Sequence, residues 1–195
     1  MTTLDDLDWP RRTARLELAR MTPADADAVW SYRRTRDVAY WIGTFPADEA
    51  HFDERFRDAD HLADQLVVRL DGQVVGDLMV EVEDGWGQRS VAARAARSQA
   101  RLGWTFAPEH QGRGLATEAV ADLLALCFDG LGVRRVVAEA FADNTASWRL
   151  MERLGMRREG HARADSLHAE LGWLDGMTYA ILADEWRSAG SPPRS

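Results

Sequence analysis

Residues 103–120, GWTFAPEHQGRGLATEAV, constrain the fold more than any other stretch of this chain. An apolar and aromatic run meets Pro108, passes through a turn carrying Gly112 and Gly114, and continues into Leu115, Ala119, Leu123, Leu126 and Cys127 at helical spacing. The pattern reads strand, stop, glycine turn, helix. Glycine lets the backbone turn tightly and approach a ligand closely. The first amides of the new helix, about residues 112–117, have no intrahelical acceptor. Together with the helix dipole they suit a phosphate-bearing ligand. Two familiar phosphate motifs are excluded. GRGLAT lacks G-x-G-x-x-G, and all 24 basic residues are arginine, so the lysine of a phosphate-loop NTPase is absent. A Schiff-base mechanism falls for the same reason.

The rest of the chain alternates strand and helix patterns. TARLELAR (13–20) alternates like a strand. Thr22-Pro23 opens a helix over 23–38 with Ala26, Val29, Trp30 and Arg33 on one face, and a second helix covers roughly 47–59. QLVVRL and QVVGDLMVEVE form a hairpin through Asp71-Gly72. Residues 84–97 have no period and read as a loop. A strand over 98–106, the helix over 114–129 closed by Gly130 and Gly132, and a strand at VRRVVAEAF follow. A helix over 144–154 stops at Gly155; MRREGHAR and 171–183 are the last strands, and the order ends at Asp184, Glu185 and Trp186. The expected class is α/β (α+β): a mixed central sheet of about seven strands flanked by about four helices. Residues 1–12 form an N-terminal arm, 13–187 a single domain, and 188–195 a disordered tail.

With 195 residues, 46% of them hydrophobic, the chain can bury one real core. No stretch reaches the roughly 20 uncharged apolar residues of a membrane helix. The start, MTTLDDLDWPRR, is acidic where a secretion signal is basic and then apolar, so a cytoplasmic location is expected. A net charge of −8 disfavours nucleic acid as a partner. The single cysteine, Cys127, lies in the apolar run LLALCF and reads as a core thiol. His51, His61, His110, His161 and His168 have no metal-ligand spacing, and no metal site is expected. A G-x-S-x-G elbow is absent.

A second stretch, FADNTASWRLMERLGM (141–156), carries Asn144 at a strand-to-helix junction and Ser147 one turn later. Asn144 reads either as an N-cap or as a side chain that holds a ligand amide. Ser147 reads either as a hydroxyl bonded back to the helix or as a ligand contact.

The two stretches, in this order, resemble the Gcn5-related N-acetyltransferase superfamily. Gln111, Gly114 and Ala116 match its Q/R-x-x-G-x-G/A motif. Asn144, Ser147, Leu154, Gly155 and Met156 are similar to the N-x-x-S…L-G-[FM] pattern of its ribosomal-protein alanine acetyltransferase (RimJ/RimL-like) branch. The ending around Asp175, Tyr179, Ala180, Ile181, Leu182, Glu185 and Trp186 looks like the same branch, and the resemblance covers about residues 13–187.

The resemblance implies a sheet splayed in its middle and acetyl-CoA as co-substrate. Trp104, Thr105 and Phe106 would meet the pantetheine arm. Gln111, Gly112, Arg113, Gly114, Leu115, Ala116 and Thr117 would hold the diphosphate. Asn144 and Ser147 would contact the coenzyme, with Ser147 as the acid for the leaving thiolate, because the position where many relatives carry tyrosine is Met151. A neutral amine would attack the thioester directly, aided chiefly by alignment. The acceptor is expected to be a primary amine, of a protein N-terminus or a small molecule, lined by Tyr40, Trp41, Phe45, Trp86 and Trp173. The acidic balance suits a cationic acceptor. Asp77 and Glu81 are candidate bases, but on a half-exposed strand both read more simply as solvated acids, and no base is assigned. Exposed edge strands would allow a homodimer. The competing function class is an acyl-CoA-binding module without turnover, suggested by Met151 and by the lack of a carboxylate near Gln99.

Overall fold

The structure is a computed structural model and describes residues 2–43 and 48–188. These residues group into two compact units. One is built from Thr3–Val80 and Trp104–Val120; the other chiefly from Glu81–Gly103 and residues 121–188.

In the first unit, β1 (Arg11–Arg12), β2 (Leu16–Arg20), β3 (Gln65–Leu70) and β4 (Gln73–Glu83, up to Val80 in this unit) pair antiparallel in that order. β3 and β4 meet at Asp71 (φ 50°) and Gly72 (φ 81°). Two consecutive left-handed residues make the tight turn whose twist matches antiparallel strands, as the Asp-Gly pair predicts. β1 adds a strand to the expected seven. It lies within the segment read as a loose arm and is too short for any alternation to show, and it pairs with the open edge of β2.

The helix expected over 23–38 is divided. Pro23–Asp25 form a single 3-10 turn, and α1 (Ala26–Arg33) and α2 (Arg36–Ala39) follow. The Asp25 carboxylate accepts from both the amide and the hydroxyl of Thr22, which fixes the start. The break falls at Thr35, which is extended (ψ 143°) and whose hydroxyl donates to the Tyr32 carbonyl at 2.7 Å. A side chain that bonds the preceding backbone competes with helix propagation. The second expected helix, roughly 47–59, is α3 (Glu49–Arg57), and a further short helix, α4 (Ala59–Leu62), follows the extended Asp58, whose carboxylate accepts from the Asp60 amide. Met21, Val29, Tyr32, Val38, Phe52, Phe56, Val67 and Ala107 bury together as the core of this unit. Phe52 stands 4.9 Å from Trp30 and 4.5 Å from Phe56, ring centre to ring centre. Each such side chain contributes roughly 1.5–3 kcal/mol by leaving water.

In the second unit, β5 (Gln99–Phe106, up to Gly103 in this unit) runs parallel to β6 (Arg135–Phe141). β6 is antiparallel to β8 (Gly172–Leu182), which is antiparallel to β7 (Arg157–His168). α5 (Leu115–Ala125) follows β5 in the chain, with residues 115–120 in the first unit and 121–125 in the second, and ends in a π turn over Leu126–Gly130. Cys127 is fully buried there, as its apolar setting predicts. α6 is Thr145–Arg153. The segment read as a loop at 84–97 holds a 3-10 stretch, Arg89–Ala95, with no buried side chain. β7 bulges where Ala164 takes φ 48°. The Asp175 carboxylate secures the bulge, accepting from the Ala164 amide and pairing with His161, both at 2.9 Å. After β8 the chain forms α7 (Ala183–Ser188), with Trp186 buried and its ring 6.1 Å from that of Phe128. The tail expected to be disordered lies, from residue 189 on, outside the described residues. Among the described residues no helix is long and apolar enough to cross a membrane.

Candidate active site

The end of β5 and the start of α5, both in the first unit, build the candidate anion site. The Ala107 amide donates to the Val75 carbonyl at 3.0 Å, and Pro108–His110 turn the chain through one 3-10 loop. Gln111 holds the turn against the strand end, its Nε2 donating to the Phe106 carbonyl at 2.9 Å. Gly112 (φ 70°) and Gly114 (φ 77°) are both left-handed, a conformation that costs other residues about 1–2 kcal/mol. A side chain built on Gly112 would meet nothing within 4 Å, so the turn opens on free space.

The backbone donors of this turn divide sharply. Gln111 donates its amide to the Pro108 carbonyl and Glu118 to the Gly114 carbonyl. Among the described residues no acceptor takes the amides of residues 112–117. Leu115 buries its side chain in the core, so only its backbone is available to a ligand. Thr117 lies in the first turn of α5, where amides have no intrahelical acceptor, and the Arg113 carbonyl accepts from Arg15 Nη1 at 3.1 Å.

Arg15 also donates to Glu118, from its amide at 2.8 Å and from Nε at 2.7 Å, and Thr13 Oγ1 donates to the same carboxylate at 2.5 Å. Burial of Glu118 opposes its ionisation. The hydrogen bonds of Thr13 and Arg15, with the arginine's charge, outweigh burial and hold the carboxyl below its ordinary range. On β4, Gly76 lies so close to the end of β5 that a Cβ there would stand 2.6 Å from the Thr105 carbonyl oxygen and 2.9 Å from Phe106 Cδ1.

Asp77 corrects an expectation. It is 1% exposed rather than solvated. Its carboxylate accepts from the Tyr32 hydroxyl at 2.5 Å and from Arg33, through Nε at 3.0 Å and through Nη2. Burial, then the Asp77 charge, pushes the Tyr32 hydroxyl well above its usual range. His61 is held below its usual range by burial and by Arg55 and Arg33. The signal was present in the sequence: Arg33 shares the apolar face of its helix with Ala26, Val29 and Trp30, and a cation on such a face requires a buried acid. Glu81 is exposed.

In the second unit, Asn144 caps α6, its Oδ1 accepting from the Ser147 amide at 3.3 Å. The cap uses the oxygen and leaves the Nδ2 donors. Ser147 is half-buried, and among the described residues its hydroxyl has no partner, so the back-bond to the helix is not formed. Met151 is fully buried. Of the expected acceptor residues, Tyr40 and Trp41 are half-buried and packed edge to face at 4.8 Å, Trp86 is 97% and Trp173 63% exposed, and Phe45 lies outside the described residues. Among the described residues no group of His, Cys, Asp or Glu could hold a metal ion.

The described residues thus form a strand, a glycine turn and a helix start whose leading amides are unspent. Residues 15–157 match the acetyltransferase (GNAT) domain, and the chain belongs to that family of N-acetyltransferases. It is 25% identical over 188 residues to the N-acetyltransferase p20 of Bacillus licheniformis, covering 89% of this chain and 96% of that protein. It is 36% identical to the N-acetyltransferase YnaD of Bacillus subtilis over 85 residues, so the match spans about half of that relative, 49% of its length. The [ribosomal protein uS5]-alanine N-acetyltransferase of Escherichia coli is 29% identical over 85 residues, 44% of this chain and 43% of that protein. A GNAT-family acetyltransferase structure from Bacillus anthracis superposes with a TM-score of 0.74 at 27% identity, over 89% of this chain and 98% of that one. The fold is shared as well with Mycobacterium smegmatis RimJ in complex with CoA-disulfide, at a TM-score of 0.69 and 22% identity, over 94% and 96% of the two chains.

Proposed function

We propose that this chain transfers an acetyl group from acetyl-CoA to a primary amine, with a peptide N-terminus as the favoured acceptor and a small-molecule amine as the other. The observation that carries the reading is the set of unspent amides at residues 112–117, opening on free space beside two left-handed glycines. A diphosphate accepts from several such amides at once, in the favourable field of the helix. Acetyl-CoA supplies the activated thioester as co-substrate.

The remaining roles belong to the chain. Residues 111–117 bind the diphosphate, with Gln111 bracing the turn against β5. Trp104, Thr105 and Phe106 offer backbone to the pantetheine arm. Asn144 keeps two amide protons for a carbonyl acceptor. Ser147 Oγ, uncommitted to any protein acceptor, gives a proton to the departing thiolate; Met151 has none to give. Asp77 is too tightly held by Tyr32 and Arg33 to act as the base. The acceptor assignment draws on the relative that acetylates the alanine of ribosomal protein uS5, and on a net charge of −8, which favours a cationic acceptor. On this reading residues 13–187 act as one acetyltransferase domain in the cytoplasm.

The test follows thiol release from acetyl-CoA against a panel of amines, with intact-mass detection of product. Turnover on peptides with a free N-terminal alanine is expected. Tight coenzyme binding without thiol release on any amine would leave a binding module in place of an enzyme.

A further inference from the structure

We infer that Arg15 is a further positioning residue for the coenzyme diphosphate: it cancels the charge of Glu118 beside the anion cradle and presents a guanidinium nitrogen to the same turn. The inference rests on the coenzyme reading above and goes beyond it, because Arg15 lies about a hundred residues before the turn, outside both motif-bearing stretches.

Glu118 creates the need. A carboxylate in the first turn of α5 favours the helix through its dipole. The same negative charge opposes a diphosphate arriving at that helix start. Arg15 and Thr13 meet the problem at close range, placing a full positive charge and three hydrogen bonds on that carboxylate.

Arg15 shapes the cradle too. Its Nη1 donates to the Arg113 carbonyl at 3.1 Å, pinning the backbone of the turn between the two left-handed glycines. Its Nη2 has no partner among the described residues and stands 3.6 Å from where a side chain on Gly114 would begin. The Arg15 side chain is 46% exposed, so a ligand in the turn can reach it. Arginine suits this part because its planar fork can hold a carboxylate, a carbonyl and a phosphate oxygen together.

The experiment measures dissociation constants by calorimetry for the wild type, Arg15→Ala, Glu118→Gln and the double variant. Coenzyme A, 3′-dephospho-coenzyme A and pantetheine, which has no phosphate, serve as ligands. Arg15→Ala is expected to weaken both phosphorylated ligands by about tenfold or more and to leave pantetheine unchanged. Adding Glu118→Gln should restore part of the loss, because the unpaired carboxylate is then gone. A loss of equal proportion for pantetheine marks a merely structural residue and overturns the inference. A loss seen with coenzyme A and not with its dephospho form overturns the diphosphate assignment. Unchanged affinity in Arg15→Ala overturns the whole. If Arg15→Ala does not fold, Arg15→Lys, which keeps the charge and loses the fork, carries the same comparisons. A wild type that binds none of the three ligands sinks the coenzyme reading itself, and this inference with it.

Discussion

The hydroxyl of Tyr32 donates to the carboxylate of Asp77 at 2.5 Å, tying α1 to β4, and both residues are buried. Arg33, next in α1, grips the same carboxylate. A buried acid held in this way is strongly interdependent with its partners, because removing one leaves an uncompensated charge. Asp77→Ala is expected to lower stability by about 3–5 kcal/mol. The double variant Asp77→Ala/Arg33→Met should recover much of that. Urea denaturation midpoints for the three proteins check both expectations; equal midpoints would mean that the pair has no structural role.

At Gly114 two effects of substitution separate. The left-handed φ of 77° strains any side chain, so even Gly114→Ala should cost about 1–2 kcal/mol of stability. Gly114→Glu carries the same strain and also places a carboxylate at the anion cradle. Coenzyme affinity should fall by about a hundredfold or more in the glutamate variant and much less in the alanine variant. Calorimetric titration of both proteins with coenzyme A reads the difference. Equal losses would assign the effect to strain alone.

Ser147 offers the cleanest kinetic separation. A positioned proton donor is typically worth 100-fold or more, and a thiolate needs less help than most leaving groups, so Ser147→Ala should lower kcat by about tenfold to a hundredfold. The KM for acetyl-CoA should change less than kcat. A kcat within twofold of the wild type would show that the thiolate departs unaided.

Acid should weaken the joint between the N-terminal segment and α5. The Glu118 carboxyl lies below its ordinary range in the folded chain. Its contribution is therefore complete above the unfolded value, about 4.3, and is lost as pH falls through the lower folded value. Thermal denaturation between pH 7 and pH 3 should show the wild type losing its advantage over Glu118→Gln in that acid window. A gap that stays constant across the range would remove Glu118 from the pH dependence.

The order of elements was legible because the period of apolar residues changes cleanly between strands and helices, and because glycine and proline punctuate the changes. Asp71-Gly72, Pro108 and Gly155 mark the joints where the sequence places them. The break at Thr35 and the further short helix after Asp58 were not legible, because each depends on a short polar side chain choosing the backbone over solvent. Of the candidate site, the glycine turn and the cap at Asn144 could be read from spacing alone. The Arg15–Glu118 contact could not. Its partners lie 103 residues apart, and each alone looks like an ordinary surface charge. A single acid on a strand has no period of its own, so the burial of Asp77 is legible only through its partners Tyr32 and Arg33.

Gly76 has a consequence for how this protein can diversify. No side chain fits on β4 at that point, because the Thr105 carbonyl and the Phe106 ring already fill the space against the glycine. Any residue larger than glycine at 76 would push on that ring and that carbonyl, so the wall cannot be narrowed from β4. The turn beyond Phe106 leaves more freedom for new ligand preferences, at positions other than the left-handed Gly112 and Gly114.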